Sequence, residues 1–288
     1  MSDSTENNIA LLALLKDGPF ARHPMDLRQM LVEGQQPTDI AAEHKISGTQ
    51  LDIAAGLLQE WAEAGETVLT WFDDDYPRQF RDVHDFPPIV FVRGHVDPED
   101  RGVCVVGSRD PSPAAVQAAE DIAAMLVEQD VTVVAGLAKG IDAAAHNTAL
   151  RLGGRTVAVI GTGIDRYYPA GNKALQQRLE REGMVLSQFW PGSPGTQISF
   201  PMRNAVMSAY GQATIIVVAG EMSGTRHQAK QAVAHGRPLV LSRSVAETTD
   251  WGRRIASDDA ALVGVAGNAQ EAVDMAAQMA DELLSAVA

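Results

Sequence analysis

The sequence predicts an α/β protein, with an extended Rossmann-like parallel sheet that has helices on both faces and a small all-α domain before it. Three observations predict this fold. Hydrophobic residues make up 45% of the 288-residue chain, which is enough for a sizeable core. From residue 101 onwards, short β-branched runs alternate with helical patterns. Those runs are almost continuously apolar, as expected for strands that are covered on both faces.

The first predicted unit is a helical domain at residues 1–66. An apolar start at 9–15 and helical spacing of apolar residues at 39–44 and 48–64 predict helices, with Gly65 as a stop signal. Residues 38–48 fit either a helix-turn-helix or a plain helical packing unit, and the acidity of this segment disfavours direct reading of DNA. Residues 67–100 are predicted to be a lead-in segment, which is punctuated by Pro77, Pro87 and Pro88.

The second predicted unit is a Rossmann-like domain at residues 67–245, in which helices separate six strands. The strand runs are 103–106, 131–134, 156–160, 184–187, 214–218 and 238–241. The helix after the first run has Ser112 at its N-cap and Pro113 at its first position. Residues 246–288 are predicted to be a C-terminal helical tail, with one amphipathic helix at 266–288.

The candidate binding residues follow the predicted strands. In an open parallel sheet, ligands bind at the carboxyl ends of the strands. The loops there carry glycines, hydroxyls and basic side chains: Gly107, Ser108, Arg109, Gly136, Lys139, Gly140, Arg166, Arg203, Asn204, Ser223, Gly224, Arg226 and Arg243. Glycines let backbone N–H groups approach a phosphate, and helix N-termini add partial positive charge. We therefore expect six basic side chains to converge on a groove that binds a polyanion.

Aromatic residues lie in the same loops and have two possible roles, base stacking and packing against the sheet. They are Tyr167, Tyr168, Phe189, Trp190 and Phe200. Each could stack on a nucleic-acid base, which contributes roughly 1–3 kcal/mol per base. Each could instead pack its loop against the sheet, because large aromatic side chains are commonly buried.

The net charge of −14 by itself disfavours nucleic-acid binding. The charge is unevenly distributed along the chain, however, and this changes the interpretation. Residues 101–244 contain 14 Lys and Arg against 10 Asp and Glu, a balance of +4. Residues 1–100 have a balance of −12, and residues 245–288 have −6. The predicted sheet domain is therefore basic, and its flanks carry the negative charge.

Several functional classes are not supported by the sequence. There is no G-x-x-x-x-G-K-[ST] motif, and Arg166 stands where a dinucleotide-binding loop that starts at Gly161 would need its third glycine. Asp142 and His146 lie four residues apart, which suits a metal or acid–base pair, or local hydrogen bonding at a helix start. We expect no catalytic residue, no metal and no cofactor.

The expected location is cytoplasmic, with no membrane association. The first eight residues are polar and acidic, unlike a signal peptide, and no apolar stretch approaches the roughly 18 residues of a membrane span. Cys104 is the single cysteine and lies in an apolar run, so we expect it to be a buried small hydrophobe.

The loop sequences resemble those of the DNA processing protein A (Smf) family. The resemblance is carried by Gly107-Ser108-Arg109, residues 136–146, residues 154–159, residues 163–169, Asn172 and residues 200–204, with Tyr76-Pro77 and residues 87–94 upstream. It covers roughly residues 70–245. It implies single-stranded DNA binding without catalysis, homodimerisation, and delivery of DNA to a RecA-type recombinase, often in natural transformation. It also implies that Ser108, Arg109, Lys139 and Arg203 lie near the phosphates.

The sequence departs from the family pattern in the second half of the loops. Ala205 replaces the second arginine of Arg-Asn-Arg, and Val218-Ala219 replaces a Glu-Ala pair. Residues 223–229 replace the usual Ser-Gly-Ser-Leu-x-Thr-Ala, and Ser242-Arg243 replaces Pro-Gly. The winged-helix tail of many members is not apparent. A divergent member is expected.

Besides a plain protein-interaction module that uses the acidic N-terminal domain and the tail helix, two functions remain open on this pattern. The first is a single-stranded DNA-binding recombination mediator. The second is a small-nucleotide sensor or nucleotide-processing protein on the same fold. Related Rossmann-like proteins hydrolyse nucleotides with a Gly-Gly-x-Gly-Thr-x-x-Glu loop, and here Gln228 stands at the position of the catalytic carboxylate. That residue disfavours hydrolysis and leaves nucleotide sensing open.

Overall fold

A computed structural model describes residues 3–21, 24–258 and 261–287 as one nine-stranded sheet with helices around it. The strands are β1 (Thr67–Thr70), β2 (Ile89–Gly94), β3 (Gly102–Gly107), β4 (Thr132–Ala135), β5 (Thr156–Val159), β6 (Met184–Ser187), β7 (Ala213–Val218), β8 (Leu239–Ser242) and β9 (Val263–Ala266). Their order across the sheet is β1-β2-β6-β5-β4-β3-β7-β8-β9.

Twelve α-helices lie within the described ranges. They are α1 (Asp3–Lys16), α2 (Met25–Val32), α3 (Pro37–Glu43), α4 (Gly48–Glu63), α5 (Pro113–Glu128), α6 (Ile141–Arg151), α7 (Lys173–Glu182), α8 (Ser199–Tyr210), α9 (Thr225–Ala234), α10 (Arg243–Thr248), α11 (Asp250–Ala256) and α12 (Ala269–Val287). Short 3-10 helices occur at Arg78–Asp82 and Ala170–Asn172. Within the same ranges, no helix combines the length and apolar character that a membrane span requires.

The predicted fold class is confirmed. All six predicted strand runs are present as β3 to β8, and every pair of neighbours among them is parallel. Alternate residues of β3 serve the two faces of the sheet. Val103 and Val105 belong to the core under α5, α6 and α12, whereas Cys104 and Val106 belong to the larger core on the opposite face. This two-sided burial is why the strand runs lack polar alternation.

The strand order reverses between β3 and β7, and this reversal positions the ligand edge. The chain moves outward from β3 through β4 and β5 to β6, then returns to place β7 on the other side of β3. Helices α5 and α6 pack on one face of the sheet, and α8 and α9 lie on the other. Loops at the carboxyl ends of β3 and β7 therefore diverge, and a crevice opens between them.

The sheet extends beyond the six predicted strands at both edges. Residues 67–100 contribute β1 and β2, and β2 pairs antiparallel with β6. At the other edge, β9 pairs parallel with β8. The prediction of a purely helical tail from residue 246 is therefore wrong for residues 263–266, which are a strand of the sheet. Helix α12 follows this strand and buries Val273 and Ala276 against β7, β8 and β9.

The four N-terminal helices pack against the lead-in segment. Trp61 of α4 meets Phe91 of β2 edge to face, with ring centroids 5.0 Å apart, and stacks near Trp190 at 6.1 Å. Arg28 of α2 donates from Nε to the carbonyl of Phe86 at 2.6 Å. Helices α3 and α4 are joined by a short turn, but α4 carries acidic residues and neither Lys nor Arg. That charge disfavours the helix-turn-helix alternative as a DNA reader.

A buried carboxylate holds the amino ends of the central strands together. Asp100 lies just before β3 and is almost fully buried. It accepts hydrogen bonds from Thr132 Oγ1 at 2.5 Å, from Arg155 Nε at 2.9 Å and from Tyr210 Oη at 2.7 Å. Strand β4, the start of β5 and the end of α8 are therefore fixed by one side chain.

The Asp100 network gives a stability prediction. Asp100→Ala leaves the Arg155 guanidinium half-buried without its partner, and we expect the free energy of unfolding to fall by about 3–5 kcal/mol. Arg101→Ala is the matched control, because its ion pair with Asp281 is exposed and should contribute less than about 1 kcal/mol. Urea unfolding followed by circular dichroism measures both. Equal losses in the two variants would contradict this assignment.

Candidate nucleic-acid interface

A cavity of about 550 Å³ opens in the crevice between the carboxyl ends of β3 and β7. Its lining comes from the loops after these strands, the start of α6, and facing sides of α8 and α9. The lining residues are Val106, Gly107, Ser108, Arg109, Asp110, Ala138, Asp142, Phe200, Pro201, Arg203, Asn204, Met207, Gly220, Met222, Ser223, Gly224, Thr225, His227 and Gln228. Its volume lies within the range of small-molecule sites, roughly 300–1,000 Å³.

The loop after β3 is held in place by its backbone. A Cβ atom at Gly107 would lie 2.7 Å from Ile141 Cγ1, so only glycine lets α6 approach this closely. The Ser108 N–H donates to Val218 O at 2.9 Å, and Ser108 O accepts from the Ile141 N–H at 3.2 Å. Arg109 follows with an exposed side chain, and its guanidinium lies 5.8 Å from the centre of the Phe200 ring. The loop therefore presents a positive charge beside an aromatic ring.

The loop after β4 has a backbone conformation that its glycines permit. Gly140 has φ +79°, and a Cβ there would lie 2.4 Å from Ser108 O. The Asn172 side chain donates from Nδ2 to the carbonyls of Leu137 and Ala138 at 3.0 and 3.2 Å. Lys139 is exposed on this fixed loop. Its ammonium group lies on the same sheet edge as Arg109, on the neighbouring loop.

Asp142 stabilises the start of α6 from inside. Its Oδ2 atom accepts from the N–H groups of Gly136 at 3.0 Å and Ala138 at 3.3 Å. Burial raises the pKa of this carboxyl, while the positive charge of Arg203 and the two N–H groups act in the opposite direction. Asp142 therefore fixes the loop conformation, which is the local hydrogen-bonding alternative considered for this residue.

His146 is removed from the cavity and from acid–base chemistry. It is fully buried and its Nδ1 lies 2.7 Å from Thr156 Oγ1. Burial lowers the pKa of His146 to about 3, so the ring is neutral near pH 7. Among the residues that the structure describes, no three His, Cys, Asp or Glu side chains are grouped to hold a metal ion.

Arg203 lies in the cavity wall, but much of its guanidinium is already bonded within the protein. Nη1 donates to the carbonyls of Gly136 at 2.5 Å and Val159 at 2.8 Å, and Nε donates to Asn204 Oδ1 at 3.0 Å. A Cβ at position 136 would lie 1.8 Å from Nη1, so glycine there makes room for the guanidinium. Arg203 therefore ties the ends of β4 and β5 to α8. Its direct contact with phosphate stays a prediction.

The six basic side chains that were expected to converge on one groove do not all line the same cavity. Arg109 and Arg203 line the cavity, and Lys139 lies on the adjacent loop. Arg166 donates from Nη2 to Gly192 O at 3.0 Å. Arg226 is half-buried outside the cavity, and Arg243 lines a separate shallow cleft beside the start of α12. The loops diverge from β3 to β8, so residues that share an edge need not share a pocket.

Some of the predicted glycine, hydroxyl and amide residues line the cavity, and others do not. Gly107, Ser108, Asn204, Ser223 and Gly224 are brought together in the cavity. Gly136 and Gly140 lie behind it and shape its wall through their close contacts. The sequence did not point to Met207 or Met222 as lining residues, placed Thr225 and His227 only within the loop at residues 223–229, and marked Gln228 only as a missing carboxylate. Ordinary apolar or polar residues of this kind carry no motif that could have assigned them to the site.

Some of the aromatic residues lie at the cavity, and others pack within the protein. Phe200 lines the cavity, and the half-exposed Tyr168 lies 5.3 Å from it between ring centroids. Trp190 instead packs against Trp61 and Phe91, and Lys16 lies 5.3 Å from its ring centre. Tyr167 is covered by Lys173 at 4.9 Å. Phe200 and Tyr168 are therefore placed for stacking, whereas Trp190 joins the helical domain to the sheet.

The family model for DNA recombination-mediator protein A matches residues 67–281. The chain belongs to this family. It is 38% identical over 171 residues to DNA processing protein DprA of Streptococcus pneumoniae, covering 58% of this chain and 59% of that one. It is 36% identical over 187 residues to Protein Smf of Synechocystis, covering 63% and 47%. The matched regions thus span about half to three-fifths of these relatives.

Solved structures of the family share the fold. The crystal structure of DprA from Streptococcus pneumoniae has a TM-score of 0.68 at 26% identity and covers 94% of both chains. DNA processing protein A from Helicobacter pylori, studied for its single-stranded DNA binding mode, has a TM-score of 0.61 at 24% identity. It covers 76% of this chain and 96% of its own. The resemblance read from the loop motifs is therefore confirmed at the level of family and fold.

The bonds of Arg203 give a prediction for this member of the DNA recombination-mediator protein A family. Arg203→Met keeps most of the side-chain length but leaves the carbonyls of Gly136 and Val159 without this donor. We expect the free energy of unfolding to fall by about 2 kcal/mol. Lys139→Met is the control, because that side chain is exposed and its loss should change stability by less than about 0.5 kcal/mol. Thermal and urea unfolding measure both, and an Arg203→Met protein as stable as the control would contradict the structural role.

Proposed function

We propose that this chain binds single-stranded DNA at the crevice between β3 and β7, without covalent chemistry. The observation that carries the proposal is the exposed Arg109 at the rim of the cavity, on a loop whose backbone is fixed from both sides. Lys139 lies on the neighbouring loop. Two cations on rigid loops suit successive phosphates of a strand, because little conformational entropy is lost on binding. Family membership supports the same ligand.

The aromatic residues beside these cations favour a single strand over a duplex. Phe200 and Tyr168 lie next to each other, and Phe200 is also close to Arg109. Bases of a single strand are free to stack on such rings, whereas bases within a duplex are already stacked on each other. The basic balance of residues 101–244 offsets the acidic flanks where the strand would bind.

Membership of the family also supports a more specific role in recombination. We propose that the DNA-bound protein is a homodimer that loads a RecA-type recombinase in transformation or recombination. Sedimentation with and without an oligonucleotide tests the dimer. Recombinase filament formation on strands coated by a single-stranded DNA-binding protein tests the loading, and failure to accelerate it would remove that part of the proposal while leaving DNA binding intact.

A mononucleotide ligand is the second candidate, and the size of the cavity favours it. A volume of about 550 Å³ suits one nucleotide unit better than a long strand. Gln228 lines this cavity where nucleotide-cleaving relatives of the fold have a carboxylate, so sensing is favoured over hydrolysis. Calorimetry with deoxynucleoside monophosphates separates the candidates. Tight binding of a monophosphate without binding of oligonucleotides would favour the sensor.

The DNA-binding proposal predicts the effect of losing a rim cation. Arg109→Ala should weaken oligo-dT binding about tenfold at low salt, because a charge-assisted hydrogen bond to phosphate is lost. The slope of log affinity against log salt should fall by about 0.7 for the lost phosphate contact. Fluorescence anisotropy over a salt series measures both quantities.

The matched control for this experiment is Arg151→Ala. Arg151 is an exposed arginine at the far end of α6, away from the carboxyl ends of the strands. Its removal changes net charge equally but should leave affinity within about twofold. If both arginine variants bind alike, or if the wild-type chain fails to bind at low salt, the proposal is wrong.

A further inference from the structure

Gln228 is a buried polar residue of the cavity whose side-chain amide is unpartnered. It belongs to the first turns of α9 and is 1% exposed. Among the described residues, neither Nε2 nor Oε1 has a hydrogen-bond partner. A buried amide without partners is unfavourable, because it has lost its hydrogen bonds to water and gained none in return. Such a group in a cavity wall indicates a ligand that supplies the missing bonds.

The other buried polar groups of the cavity are already bonded within the protein. Asp142 accepts from two backbone N–H groups, and Arg203 donates to two carbonyls. Thr225 Oγ1 donates to Gly107 O at 3.2 Å. These groups use part of their hydrogen-bonding capacity to shape the cavity wall. Gln228 differs from them, since neither its donor nor its acceptor is bonded within the described residues.

The surroundings of Gln228 suit a nucleobase. Val106 and Met207 are buried lining residues that give the inner cavity an apolar surface. Met222 also lines the cavity, next to Ser223, and is 81% exposed. A flat heteroaromatic ring combines apolar faces with a polar edge, so it matches apolar walls around one amide. A phosphate would match poorly, because the amide oxygen repels it.

We propose that Gln228 hydrogen-bonds the edge of one nucleobase of the bound strand and prefers adenine. This inference rests on the proposed DNA-binding function. A glutamine amide fits adenine in a bidentate manner, accepting from N6–H and donating to a neighbouring ring nitrogen. Adenine offers that donor–acceptor pair on both its Watson–Crick and its Hoogsteen edge, which are open in a single strand. Arg109 at the rim would then contact the adjoining phosphate.

The decisive probe is an oligonucleotide that lacks the adenine 6-amino group. Homopolymers of deoxyadenosine and of 2′-deoxynebularine stack similarly, but nebularine has no N6–H for Gln228 Oε1 to accept. We expect the wild-type chain to bind oligo-dA about tenfold more tightly than oligo-nebularine, the usual size of one bidentate base contact. Gln228→Leu should bind both equally, which makes the comparison a double-mutant cycle. Gln231→Leu, on the same helix outside the cavity, should behave as wild type.

Thermal unfolding separates recognition from misfolding. Gln228→Leu replaces an unpartnered amide with apolar atoms of similar size, so its melting temperature should equal or exceed that of the wild type. Gln228→Glu, a second variant, keeps an acceptor for N6–H but loses the donor to the ring nitrogen, so it should bind both oligonucleotides more weakly and still prefer dA.

The outcomes distinguish the two proposals. Retention of the dA preference by Gln228→Leu overturns the inference, as does equal weakening for both oligonucleotides. Wild-type binding that is strong but indifferent to the 6-amino group also overturns it and leaves DNA binding standing. Failure of the wild type to bind any oligonucleotide at low salt overturns the DNA-binding proposal itself.

Discussion

The reversal of strand order between β3 and β7 is the constraint on which the ligand edge depends. The chain covers one face of the sheet with α5 and α6 and the other with α8 and α9. The loops leaving the two neighbouring strands must therefore turn away from each other, and an opening remains at their carboxyl ends. This geometry positions the groups that line the cavity, which belong to loops, to the start of a helix or to the side of a helix.

Inside the crevice, the buried polar groups that have hydrogen-bond partners within the protein shape the site. Those without such partners can bind a ligand. The Arg203 guanidinium and the Asp142 carboxylate use their hydrogen bonds on the loop after β4. Their bonds hold the backbone that presents Lys139, and the contacts of Gly107 and Gly140 hold the loop of Arg109. This arrangement explains how a chain of net charge −14 presents fixed positive charge at one place. It also explains how an arginine of a family motif, Arg203, serves the structure of the loops.

The outer strands and N-terminal helices complete the sheet. β1 and β2 cover the edge at β6, and β9 covers the edge at β8, so the sheet ends on the four-residue strands β1 and β9. The lead-in segment also connects the layers, because Trp61, Phe91 and Trp190 join α4, β2 and the loop before α8. That loop continues to Phe200 in the cavity wall. The helical domain is thus packed against the loop that leads to the cavity wall.

The sequence by itself determined the parallel core and the loops that form the ligand edge. Continuous apolar runs between helical patterns identified β3 to β8, and Gly107, Gly140 and Asp142 are local requirements of tight strand-to-helix turns. Strands β1, β2 and β9 escaped prediction because the outer strands of this sheet are defined by their pairing partners, and no alternation with helices identifies them in the sequence. Only the tertiary structure decided which charges are free. Arg109, Arg166 and Arg203 look alike in the sequence, but whether a guanidinium is exposed or bonded to carbonyls depends on backbone brought from distant residues. The tertiary structure also decided the role of Gln228, because the fold places no hydrogen-bond partner next to its side-chain amide.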